Sequence, residues 1–185
     1  MDFIQTVTLT GQRQYILAAI HHAGRRVRIL GTTAHPTHAW VTQAIHNRLM
    51  DLESAGNLAQ LKFLIRDRDA KYPESIDTIL NDAGTITVLT GVQMPRMNAI
   101  AERWAKTLRA ELLDRTLIWN QRHLLHALRE YETFYNDHRP HQGIANARPL
   151  KPLPEPITDP GQLDQRRIRR HDRLGGLLHE YEHAA

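Results

Sequence analysis

The order in which strand-like and helix-like segments follow one another constrains the fold of this chain most. Residues 3–32 contain three strand-like runs, and Ala23-Gly24 can form a tight hairpin turn between the last two. Apolar residues then recur at helical spacing over residues 36–57. The following segments are predicted as strand, helix, strand, helix and helix: residues 61–65, 74–83, 85–90, 98–113 and 121–136. This βββαβαβα order predicts an α/β fold in which helices flank a mixed central sheet.

Composition excludes several classes of protein and of site. The chain has 185 residues, 41% of them hydrophobic and 24% charged, which suits one domain with a tail. Its longest apolar run, Ile16 to Ile20, is too short to cross a bilayer, and Asp2 lies where a signal peptide is basic. The absence of cysteine excludes disulfides, a thiol nucleophile and a cysteine-based zinc site. We therefore expect a cytoplasmic protein with no membrane partner.

Positive charge is concentrated near the start of the chain. The net charge is +4 and the pI is about 9.7, which favours an anionic partner. Residues 1–50 hold five arginines and a single acid, Asp2, whereas residues 51–95 hold four basic residues and seven acids. A lone carboxylate in a basic segment is either a chance feature of a chain terminus or a functional group. Composition alone favours the chance feature.

Three carboxylates occupy places where α/β folds gather ligands. Asp2 begins the first strand, Asp67 follows the fourth, and Glu102 lies in the first turns of the helix after the fifth. Carboxylates brought together repel one another unless a cation such as Mg²⁺ or Mn²⁺ neutralises them. Two such ions, about 3.5 to 4 Å apart, can activate water at a phosphodiester. Because the chain has 20 acids, which offer many such triples, spacing alone favours an incidental arrangement.

Four strings carry a likeness to a known family: DFIQTVTL (2–9), FLIRDRDAKY (63–72), PRMNAIAERWAKTLRAELLD (95–114) and YETFYNDHRPHQGI (131–144). In this order they resemble the integrase core domain of DDE transposases, particularly bacterial insertion-sequence transposases of the retroviral-integrase type. The resemblance covers about residues 2–150. It implies an RNase H-like fold and a polynucleotidyl transferase that nicks DNA and transfers strands. It also implies a prokaryotic, nucleoid-associated protein.

The resemblance assigns the catalytic and metal-binding roles to Asp2, Asp67 and Glu102, which would hold Mg²⁺ or Mn²⁺, with two ions expected. Asp67 and Glu102 are separated by 34 residues, close to the family's usual spacing. Asp69 is the alternative for the second position. In related cores the second aspartate begins an Asp-Asn-Gly sequence, and counting back from Tyr72 places that sequence on Asp67-Arg68-Asp69. This favours Asp67, and we expect Asp69 to contact a basic neighbour or solvent.

Basic residues near Glu102 are expected to bind DNA. Lys106 and Arg109 follow Glu102 at i+4 and i+7 and so share its helix face, where the family holds a DNA end. Arg103, Arg139 and the arginines of the early strands are expected to contact phosphates as well. The alternatives are an ordinary Glu102–Lys106 surface pair and, for Arg139, a simple helix end. Family likeness also implies a homo-oligomer, because strand transfer uses paired subunits.

The domain organisation is predicted in three parts. Residues 1–145 form the catalytic core, residues 146–165 a proline-rich linker, and residues 166–185 a basic tail with a short strand. Because Asp2 is the second residue, we expect the first strand to lack its usual apolar start and the chain to correspond to the catalytic part of a transposase without its end-recognition module. The alternative function is therefore a catalytically inactive, truncated remnant that binds DNA non-specifically or pairs with other transposase subunits.

Overall fold

The computed structural model describes residues 1–91, 98–153, 156 and 167–184. Within them the strands are β1 (Asp2–Val7), β2 (Arg13–Ile20), β3 (Val27–Thr33), β4 (Phe63–Arg66), β5 (Ile86–Leu89), β6 (Arg167–Arg173) and β7 (Leu178–Ala184). The helices are α1 (His38–Ser54), α2 (Ser75–Asp82), α3 (Ala99–Leu108) and α4 (Gln121–Asp137). The predicted mixed α/β class is confirmed. None of the helices in this part of the chain is long and apolar enough to cross a membrane.

Strands β1, β2 and β3 form an antiparallel sheet in that order. Alternate residues of the central strand β2 point to opposite faces, and both faces are covered, so this strand is buried on each side. Ile16, Ala18 and Ile20 join a core built with α3 and α4, whereas Leu17 joins a second core built with α1 and α2. The hydrophobic pattern of β2 therefore fixes helices on both faces of the sheet.

Strands β4 and β5 form a separate parallel pair, with Phe63 opposite Ile86. This differs from the single mixed sheet predicted from the sequence. The two sheets adjoin where the Met1 ammonium donates a hydrogen bond to the Ile65 carbonyl at 2.7 Å. In the described part of the chain β1 and β4 belong to different sheets. The contact nevertheless brings the start of β1 beside the end of β4.

Helix α4 covers the outer edge of β3 with polar side chains. Asn136 hydrogen-bonds both the N–H and the carbonyl of Val27, and Glu132 accepts a hydrogen bond from the Ile29 N–H at 2.8 Å. Gln121 donates to the Thr32 carbonyl at 2.7 Å. An uncovered edge strand offers unpaired backbone groups to other chains. These three side chains satisfy part of that edge within the molecule.

The C-terminal strands β6 and β7 form an antiparallel hairpin that packs against α4. Leu178 is buried in the core shared with α4, and Arg173 bonds both Glu180 and, at 2.8 Å, Glu130 of α4. Residues 154–155 and 157–165 of the predicted linker lie outside the described residues. The predicted domain boundaries therefore stay a prediction, while the hairpin itself is tied to the helical layer.

Candidate active site

Asp2 and Asp67 lie together where the two sheets adjoin. Asp2 begins β1 and Asp67 directly follows β4. The pKa of Asp2 is raised, first by partial burial and then by the negative charge of Asp67. The Asp2 carboxylate accepts hydrogen bonds from the Phe3 N–H at 2.8 Å and from the Asn98 side chain at 3.1 Å. Two of the three predicted carboxylates therefore interact through the repulsion between their charges.

Asn98 connects this pair to the start of α3. It immediately precedes the helix and is only 6% exposed, and its amide nitrogen donates to Asp2. Its side-chain oxygen is buried without a hydrogen-bond partner in the described part of the chain. Sequence reasoning noted Asn98 only as part of a string. The signal for its role is the i, i+4 spacing to Glu102, which places both residues on one helix face.

Glu102 lies one helical turn beyond Asn98 and is exposed. Among the described residues, no three His, Cys, Asp or Glu side chains are grouped so that they could hold a metal ion. The three predicted carboxylates therefore do not form one group in the described structure, and Glu102 lies exposed on the helix that Asn98 precedes. The role of Glu102 as the third metal ligand stays a prediction.

The donors that are gathered suit a hard divalent cation. Carboxylate and amide oxygens are the ligand types that Mg²⁺ and Mn²⁺ take in proteins. The unpartnered oxygen of Asn98 lies on the residue that bonds Asp2, and a cation would relieve the repulsion between Asp2 and Asp67. The nearby Met1 ammonium is partly buried, which lowers its pKa, while both aspartates act in the opposite direction. The chemistry of Asp2, Asp67 and Asn98 fits a cation.

Asp69, the alternative to Asp67, is engaged elsewhere. Its carboxylate bonds the Lys71 ammonium at 2.5 Å and the Lys71 N–H at 2.9 Å. Burial alone would raise the pKa of Asp69, but these contacts with Lys71 lower it overall. Lys71 also lies 5.5 Å from the ring centres of Phe3 and Tyr15. A basic neighbour was expected for Asp69, and the structure supplies one.

The basic residues of α3 are presented to solvent. Arg103 and Lys106 are exposed, and no carboxylate lies within ion-pair distance of either among the described residues. Arg109 begins a π-helical turn, Arg109–Leu113, which continues α3. Its guanidinium donates to the Gln5 carbonyl of β1 at 2.7 Å. Arg103 and Lys106 are thus free to meet an anion, whereas Arg109 also ties the helix to the sheet.

Arg139 is held by the π-helical turn. Its guanidinium donates to Glu111 at 2.6 Å and lies 5.9 Å from the ring centre of Tyr135. Glu111 also accepts a hydrogen bond from the buried Tyr131 hydroxyl at 3.0 Å. Glu111 was not singled out from the sequence, because the π turn that aims it inward leaves no pattern in the residues. The packing role left open for Arg139 has direct contacts, and its DNA role stays a prediction.

Comparison with known protein families identifies part of this architecture. Residues 84–149 match the family model described as Integrase core domain. The expected likeness to an integrase core is confirmed. The matched segment includes Asn98, Glu102 and Arg139, whereas Asp2 and Asp67 lie outside it. A comparison with curated protein sequences gives no match.

Comparison with solved structures gives a second likeness, to a chain from an intasome. One similar chain belongs to the cryo-EM structure of the simian T-cell lymphotropic virus intasome in complex with PP2A regulatory subunit B56 gamma. The TM-score is 0.55 at 12% sequence identity, over 100% of this chain and 65% of that chain. At this identity the likeness concerns the fold alone, and the present chain spans only 65% of the other's length.

Proposed function

We propose that this chain is the catalytic core of a DDE-type transposase or integrase with an RNase H-like fold. It would nick DNA and transfer strands in a metal-dependent reaction during DNA integration and recombination. One observation carries the proposal: the start of β1 bonds the strand that precedes Asp67, and Asn98, which bonds Asp2, directly precedes the helix that bears Glu102. That helix belongs to the segment matched by the integrase core model.

Asp2, Asp67 and Glu102 are the residues that would hold Mg²⁺ or Mn²⁺. When bound, such ions activate a water or hydroxyl nucleophile and stabilise the leaving oxygen at a phosphodiester. Asn98 orients the Asp2 carboxylate through its 3.1 Å hydrogen bond and offers its unpartnered oxygen to the same site. The protein therefore contributes prepositioned oxygen donors, and no serine or tyrosine nucleophile is required.

Arg103, Lys106 and Arg109 would bind the phosphates of the DNA substrate. They lie along the exposed part of α3 and its continuation, next to Glu102. Contacts of this kind position DNA without reading its sequence. A chain of similar fold belongs to a viral intasome, and by analogy we propose that this chain acts as a homo-oligomer, a dimer or larger, on DNA.

The test is a Mn²⁺-dependent assay on a branched DNA that mimics a strand-transfer product. The parent is compared with Glu102→Gln and with Glu53→Gln, which removes an exposed carboxylate from α1. We expect Glu102→Gln to lower the rate by at least about a hundredfold and Glu53→Gln to leave it unchanged. Equal rates for the parent and Glu102→Gln would contradict the proposed site.

A second candidate function is a catalytically inactive relative that binds DNA non-specifically or pairs with transposase subunits. The observation favouring it is that Glu102 stands exposed and outside the carboxylate group in the described structure. The same assay separates the candidates. Folded protein that binds DNA and resolves no branch at any Mn²⁺ concentration would support this second function.

A further inference from the structure

The turn between β2 and β3 carries two arginines that have no acidic partner among the described residues, together with two histidines. We name this group the turn cluster; it consists of His21, His22, Arg25 and Arg26. In the described residues no carboxylate lies within 4.0 Å of either arginine of the turn cluster. Other arginines of the fold do have such partners, namely Arg28, Arg66, Arg139, Arg170 and Arg173. The positive charge of the turn is therefore uncompensated.

Arg25 is held in an unusual conformation. Its φ of 59° lies in the left-handed region, which costs a residue with a Cβ about 1–2 kcal/mol. Its side chain crosses Gly143, in the loop after α4: a Cβ there would lie 3.0 Å from Nη2 and 3.1 Å from Nε. Nη1 is buried and has no hydrogen-bond partner within the described chain. The backbone conformation and the bare glycine thus place the guanidinium between two loops, with its Nη1 unsatisfied among the described residues.

The positive charge of Arg25 contributes to lowering the pKa values of two neighbouring histidines. The pKa of His22 is lowered, first by burial and then by the Met1 ammonium, Arg25 and His21. The pKa of His141 is also lowered, first by burial, with Arg139 and Arg25 acting in the same direction. The turn cluster lies beside the start of β1, because Asp2 pairs with Ala18 of β2 and the turn follows directly after Ile20. An anion bound at the turn would therefore lie next to the carboxylate pair.

We propose that the turn cluster, with Arg25 at its centre, binds backbone phosphates of the DNA that the Asp2–Asp67 site acts on. The planar guanidinium suits phosphate oxygens, because its donors form a fork that can bond two of them. The identification of the anion as DNA rests on the proposed function. The turn would hold the duplex through its phosphate backbone, independently of base sequence.

The test measures binding of a fluorescein-labelled duplex DNA by anisotropy over a series of salt concentrations. Arg25→Gln is compared with the matched variant Arg129→Gln, which removes an exposed arginine from α4, and with Arg25→Lys, which keeps the charge. We expect Arg25→Gln to reduce the steepness of log K against log[salt] by about 0.9 and to weaken binding roughly five- to tenfold at 0.1 M salt. Arg129→Gln should bind as the parent does, and Arg25→Lys should keep the parent slope.

A second variant tests the placement of Arg25 without changing any charge. Gly143→Ala should displace the guanidinium, so we expect weaker DNA binding from a folded protein whose thermal unfolding stays cooperative. Equal losses in Arg25→Gln and Arg129→Gln, or parent-like binding by Arg25→Gln, would overturn the proposal. Because binding is measured without Mn²⁺, an inactive Glu102 site would not affect this outcome. The two proposals can therefore fail separately.

Discussion

The side-chain amide of Asn136 makes two hydrogen bonds with the backbone of Val27. Its oxygen accepts from the Val27 N–H at 2.9 Å, and its nitrogen donates to the Val27 carbonyl at 3.0 Å. Both residues are buried, and they are 109 positions apart in the chain. The amide thus gives the edge of β3 the pairing that a further strand would give. This contact joins the helical layer to the sheet at the start of β3, directly after the turn cluster.

Removing this amide should destabilise the fold. Asn136→Ala leaves a buried N–H and a buried carbonyl of Val27 unpaired, at a cost of about 2–5 kcal/mol. Asn47→Ala removes an exposed side chain that bonds Gln43 on α1, and should cost less than about 0.5 kcal/mol. Urea unfolding followed by circular dichroism measures both. A cost below 1 kcal/mol for Asn136→Ala would mean that the Val27 backbone finds other partners.

The Glu111–Arg139 contact should appear as a coupling energy. The two side chains are 31% and 27% exposed and 2.6 Å apart, so we expect Glu111→Gln and Arg139→Gln together to cost about 1 kcal/mol less than the sum of the single variants. A double-mutant cycle in urea measures this difference. If the single variants add fully, the contact contributes nothing, and Arg139 would be available to DNA alone.

Lowering the pH should weaken the packing of the C-terminal hairpin against α4, because the largely buried His138 side chain lies at this contact. The His138 side chain is 9% exposed and lies 3.5 Å from Glu180. Burial is the main cause that lowers its pKa below 6.5; Glu180 opposes the shift, and Lys151 and Arg173 add to it. Because the unfolded chain takes up the proton first, the contribution of His138 is present above pH 6.5 and is lost as the pH falls toward its folded-state pKa.

His138→Gln should therefore lose less stability than the parent when the pH is lowered from 7 to 5. The matched control is His46→Gln, which replaces an exposed histidine on α1 and should follow the parent curve. Melting temperatures at several pH values measure the difference. Parallel curves for the parent and His138→Gln would show that another group governs the acid response.

Divalent cations should stabilise the chain through Asp67 and not through Asp69. On the proposed function, Mn²⁺ at ten times its dissociation constant should stabilise the parent by about 1.4 kcal/mol. Asp67→Asn should abolish this gain. Asp69→Asn should retain it, because Asp69 is occupied by Lys71. Thermal melting with and without Mn²⁺ measures the stabilisation of each variant. If Asp69→Asn alone abolished it, Asp69 and not Asp67 would be the metal ligand.

Much of the local structure could be predicted from the sequence. The helix predicted over residues 121–136 is observed as Gln121–Asp137, and the strand predicted over residues 61–65 is observed as Phe63–Arg66. Thr37 caps α1 by accepting a hydrogen bond from the Trp40 N–H, at the predicted start of that helix. Periodicity and capping depend on neighbours in the chain, so the sequence displays them directly.

The contacts that build the site could not be predicted in the same way. Asn98 and Asp2 are 96 residues apart, and nothing local to either residue indicates that they meet. The π-helical turn that aims Glu111 at Tyr131 and Arg139 has no signature in the residues that form it. The division of the sheet in two likewise depends on where β1 and β4 meet in space. Such features follow from tertiary packing, which periodicity does not encode.

The way in which α4 covers β3 bears on how freely each can change during evolution. Gln121, Glu132 and Asn136 bond to backbone atoms of the strand, and every residue type except proline offers the same N–H and carbonyl. Side chains of β3 can therefore be exchanged without loosening this attachment. The three polar positions of the helix have no such freedom. Among homologous chains we expect the exposed positions of the strand to vary and these helix positions to stay fixed.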